Sequence, residues 1–76
     1  MEAFTVLAHW DPEAGVWWTE SSDIKGLVAE SETIEGLLHE IRQIVPDLMQ
    51  LNHGISSQSV QINLVADRTE GVRIPA

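Results

Sequence analysis

The sequence predicts an α+β fold of order β-β-β-α-β, a single mixed four-stranded sheet with one helical layer. Three observations carry that prediction. Apolar side chains alternate with period two in the first thirty residues and again after residue 60, the signature of half-buried strands. Between them they recur with helical period, at Ile34, Leu37, Leu38, Ile41, Ile44, Val45, Leu48 and Met49. Pro, Gly, Asp and Ser gather where one period gives way to the next.

Residues 4–10 place Phe4, Val6, Ala8 and Trp10 on one face and Thr5, Leu7 and His9 on the other. Asp11-Pro12-Glu13-Ala14-Gly15 then reads as a hairpin loop, with Pro presetting φ and Gly accepting φ > 0. Residues 16–21, rich in Val, Trp and Thr, are the return strand. Ser22-Asp23-Ile24-Lys25-Gly26 is a second turn, and residues 27–31 a short third strand. The helix begins at Ile34, with Ser31 or Thr33 as its cap and Glu32 and Glu35 at the positive end of its dipole. Gly36 allows a strand to approach closely. Pro46 should kink or break the helix near Ile44, yet the stripe continues, so a bent helix ending near Asn52 and stopped by Gly54 is expected. Residues 60–68 form the fourth strand, with Val60, Ile62, Leu64 and Ala66 on one side. A right-handed crossover sets this strand parallel to the third, and placing it beside the first gives the mixed sheet. Residues 1–70 are read as one domain and residues 71–76 as a C-terminal tail.

Composition bounds the function. Seventy-six residues make one domain with a thin core, which oligomerisation would support. With no cysteine, neither a disulfide framework nor a thiolate metal site is possible. No signal-peptide pattern or membrane-length apolar run occurs, so a cytoplasmic protein without membrane contact is expected. Twelve acidic residues face four basic ones, a net charge of −8. The scattered cations Lys25, Arg42, Arg68 and Arg73 build no phosphate-binding patch, so direct nucleic-acid binding is not expected. Acidity of this degree serves solubility and steers the chain toward a basic partner.

Trp17 and Trp18 are adjacent in a strand and must point to opposite faces. One packs under the helix; the other joins an uncovered face. Trp17, Trp18, Leu7 and Val28 are therefore the candidate interface residues, with alternation placing some of them in the core. A homodimer or a partner protein is the expected cover.

No constellation in the chain spells catalysis. His9, His39 and His53 lack His or Cys neighbours at ligand spacing. Ser21, Ser22 and Asp23 sit in a turn without a nearby base. Asp11, Glu20 and Asp23 are the one carboxylate set that could hold a divalent metal for a nuclease or hydrolase, the least favoured reading. Neither a cofactor nor a resident metal is expected, and the chain reads as non-enzymatic.

The segment Trp10-Asp11, then Ala14-Gly15-Val16-Trp17, with a later Val45-Pro46-Asp47-Leu48, resembles stand-alone HicB-like domains of unknown function. Asp23-Ile24-Lys25-Gly26 and Thr33-Ile34-Glu35 occupy the places of the Asp-x-Pro-Gly turn and Thr-x-Glu helix start of HicB-like antitoxins. The resemblance spans about residues 3–68. It implies a β-β-β-α-β domain of partial RNase-H-like topology that masks a small, basic, RNA-cleaving toxin. Lys25 replaces the family proline, which is expected to loosen that turn. No helix-turn-helix or ribbon-helix-helix segment follows the last strand, so operator binding is not implied. The expected function is thus a small acidic protein-binding domain, antitoxin-like, with a homo-oligomeric structural or regulatory protein as the alternative.

Overall fold

The computed structural model describes residues 2–76; Met1 and the side chains of Glu2 and Ser21 lie outside that description. The elements are β1 (Glu2–Asp11), β2 (Val16–Ser22), β3 (Glu30–Ser31), α1 (Ile34–His53) and β4 (Val60–Asp67). They form one four-stranded sheet in the order β3-β2-β1-β4. β1 pairs antiparallel with β2 and parallel with β4, and β2 pairs antiparallel with β3. The α+β topology with one helical layer is therefore the predicted one.

The hairpin between β1 and β2 closes as its composition requires. The Asp11 carboxylate accepts from the Glu13 and Ala14 amides, the Gly15 amide donates to the Asp11 carbonyl, and Gly15 adopts φ 69°. Strict alternation then fails at one point. Ala8 faces Thr19 but Leu7 faces Ser21, so Glu20 is an extra residue in a β-bulge.

The third strand is shorter than its pattern suggests, two residues instead of five. Thr19 explains the difference. Its amide donates to the Ala29 carbonyl at 3.0 Å, while its hydroxyl accepts from the Ala29 amide at 3.0 Å. A side chain thus replaces one rung of the ladder, and residues 27–29 run beside β2 without regular pairing. Thr19 is buried. Thr19→Val, nearly the same shape, strands the Ala29 amide and should cost about 1–3 kcal/mol in urea unfolding. An unchanged midpoint would show that water replaces the hydroxyl.

In α1, Leu37, Ile41, Val45 and Met49 are buried and spaced four apart, one stripe laid along the sheet. They meet Phe4, Val6 and Ala8 from β1, with Leu27 and Ala29 from the connection before β3. Thr33 is the N-cap, accepting from the Gly36 amide at 2.9 Å, and Gly54 closes the other end in the left-handed conformation. The helix runs through Pro46 to His53, as the continued apolar stripe requires. Pro46 and Arg42 are both exposed, so the carbonyl deprived of its partner faces water. Gly36 does permit close approach: a Cβ there would collide with the Ser31 hydroxyl of β3.

Ile24, read as a turn residue, is among the most deeply buried side chains. The turn around it is pinned by the helix end rather than loosened by Lys25. The Lys25 amide donates to His53 Nε2 at 3.2 Å, and the Asn52 side-chain amide donates to the Lys25 carbonyl at 2.9 Å. A proline at position 25 would lack that donor.

Candidate interface on the open sheet face

β1 decides what the open face carries, because its odd-numbered residues turn away from α1. The register aligns Leu7 with Val65 of β4 and, one step along, His9 with Trp18 of β2 and Asp67 of β4. Trp18 in turn pairs with Glu30 of β3. A single row therefore crosses the four strands as Asp67, His9, Trp18, Glu30, with carboxylates at both ends. Leu7 and Val65 lie in the adjacent row. Leu7, Trp18 and Val65 retain 37%, 38% and 44% of their exposure, and Val28, two residues before Glu30, retains 80%.

The bulge at Glu20 completes the arrangement. Glu20 meets His9 Nε2, while Asp67 lies 3.8 Å from His9 Nδ1. The His9 ring stands 6.0 Å from that of Trp18. An imidazole held between two carboxylates thus abuts an exposed indole, and acidic groups surround an apolar centre.

The candidate interface residues divide. Leu7, Trp18 and Val28 are exposed on the open side. Trp17 packs against the core on the other face, its ring 5.5 Å from that of Trp10. The Arg68 guanidinium lies 4.1 Å from the Trp10 ring centroid and 5.9 Å from that of Trp17. Val65 and His9 belong with the open-face set.

Asp11, Glu20 and Asp23 do not converge. Asp11 caps the hairpin at one end of β2. Asp23 lies past its other end, accepting from the Thr5 amide at 3.0 Å, and Glu20 turns to His9. Seven strand residues separate the two ends, about 20 Å. Among the described residues, no three His, Asp or Glu side chains are grouped to hold a metal ion. No helix of the described residues is long and apolar enough to cross a membrane.

A family described as a domain of unknown function, DUF1902, matches residues 3–76. The chain belongs to that family. The match takes in residues 71–76, which the sequence alone sets apart as a tail, so the DUF1902 pattern continues beyond β4. The crystal structure of the hypothetical protein TTHA1013, from the extremely thermophilic bacterium Thermus thermophilus, is similar to this DUF1902 chain. The two share 38% identity and a TM-score of 0.77, over 93% of this chain and 100% of that one. No curated protein matches the chain.

Proposed function

We propose that this DUF1902 domain is a non-catalytic protein-binding module, antitoxin-like, that covers a small basic partner with the open face of its sheet. The observation that carries the reading is the acid-ringed apolar centre: Leu7, Trp18 and Val65 exposed, with Glu20, Glu30 and Asp67 around them. An aromatic anchor inside a charged rim suits a protein partner, the anchor supplying affinity and the rim steering and orientation. The net charge of −8 selects a basic one. Two copies meeting face to face would oppose like carboxylates, which counts against a symmetric dimer through this surface.

The HicB-like motifs at Trp10-Asp11 and Val45-Pro46-Asp47-Leu48 support the same reading and add its chemistry, a small RNA-cleaving toxin held inactive. The test is coexpression with any small basic protein encoded beside this chain; a neighbourhood that encodes none counts against the reading. The expected result is a stable complex whose formation slows with added salt and in which RNA cleavage by the partner is suppressed. Absence of a complex with any such protein at low salt sinks the reading.

A further inference from the structure

Residues beyond β4 hold a pattern that the fold leaves unused. Val72 and Ile74 alternate around Arg73 as in a strand, yet they are 77% and 81% exposed, and apart from its chain neighbours no atom lies within 4 Å of where a Gly71 side chain would begin. The molecule is 59 Å long. A ten-residue strand spans about 33 Å and a twenty-residue helix about 30 Å, so the extra length belongs to this segment. Its root is fixed. Arg68 stacks on Trp10, within reach of Trp17, and its Nε donates to Glu70 at 2.6 Å. Residues 71–76 project from that root as an arm.

At the β2–β3 margin of the sheet, across from β4, an open groove of about 720 Å³ has apolar walls from Trp18, Val28 and Ile44 and carboxylates from Asp11, Glu30 and Glu40. Arm and groove are complementary. Residues 68–76 carry Arg68 and Arg73 against Glu70 alone, a charge of +1 in a chain of −8. Arg73 has no carboxylate partner among the described residues. An apolar–basic–apolar strip therefore stands free on a molecule that also carries an acidic apolar groove.

We propose that residues 71–76 form an exchanged arm: Val72 and Ile74 of one copy seat against Trp18, Val28 and Ile44 of a second copy, and Arg73 reaches Asp11, Glu30 and Glu40. The exchange is reciprocal, so both grooves fill in a closed dimer. It differs from face-to-face packing because acidic groups meet a cation instead of one another. This inference concerns self-association and stands whether or not a basic partner exists.

The experiment is sedimentation equilibrium of the full chain over a concentration series, with circular dichroism to confirm folding. Wild-type protein is expected to dimerise. Val72→Asp/Ile74→Asp, at exposed positions that leave the fold intact, should weaken the dimer about ten-thousandfold, roughly tenfold for each of the four aliphatic side chains lost from its two arms. Arg73→Glu should weaken it about a hundredfold, tenfold at each of the two arms, and Glu40→Lys should restore affinity in the Arg73→Glu background. A wild-type monomer at every concentration, a dimer that the arm variants leave unchanged, or a failure of the charge swap to restore affinity overturns the proposal.

Discussion

Leu37→Ala is expected to remove a quarter or more of the protein's stability. Leu37 is fully buried at the centre of the helix stripe. Removing its branched end costs the lost burial plus the cavity, about 3–5 kcal/mol in well-packed cores. A 76-residue domain has roughly 4–11 kcal/mol of total stability, so the substitution removes about a quarter of it or more. One helix is also the main cover of that sheet face, which leaves few neighbours able to collapse into the space. Urea unfolding of Leu37→Ala beside Leu38→Ala separates site from chemistry. Leu38 is only half-buried, and its loss should cost less than half as much. Equal losses would mean that the stripe at Leu37, Ile41, Val45 and Met49 is not the main source of stability.

That stripe was legible because its period is local. The alternation of Phe4, Val6 and Ala8 was legible for the same reason, and together they suffice for the element order and the sheet with one helical layer. What escaped depends on contacts distant in the chain. Ile24 sits among turn residues, and nothing nearby signals that a helix twenty residues later closes over it. The shortened β3 follows from one hydroxyl, Thr19, reaching a backbone ten residues away. The bulge that turns Glu20 to His9 is a register shift, which pattern alone cannot place. Pro46 left the continued stripe readable, and the helix tolerates it because the Arg42 carbonyl that loses its partner faces water.

The candidate surface was half legible. Adjacent tryptophans guarantee that one faces away from the core, but not which. The choice falls on Trp18 because Trp10 and Trp17 are cross-strand partners on the helix-covered side, where Arg68 stacks on their rings. His9 read as an isolated histidine because its two carboxylates come from other strands.

Trp18→Ala is accordingly the substitution with the largest expected effect on partner binding. An indole at the centre of an interface commonly accounts for about 2–4 kcal/mol, so affinity for the basic partner should fall about thirtyfold or more, chiefly through faster dissociation. Glu30→Lys, on the rim, should act on association instead, slowing it and flattening its salt dependence. The melting temperature of Trp18→Ala should stay close to wild type, because the side chain is substantially exposed in the free chain. Trp17→Ala gives the reciprocal pattern: lower stability from the lost packing against Trp10 and Arg68, with partner affinity retained once the protein is folded. Trp18 also lines the groove assigned to the arm of a second copy, so arm and partner compete for one ring. Val72→Asp/Ile74→Asp then tightens apparent partner binding while Trp18→Ala weakens it. Two tryptophan variants with the same dissociation rate from the partner would remove the open face from the binding surface altogether.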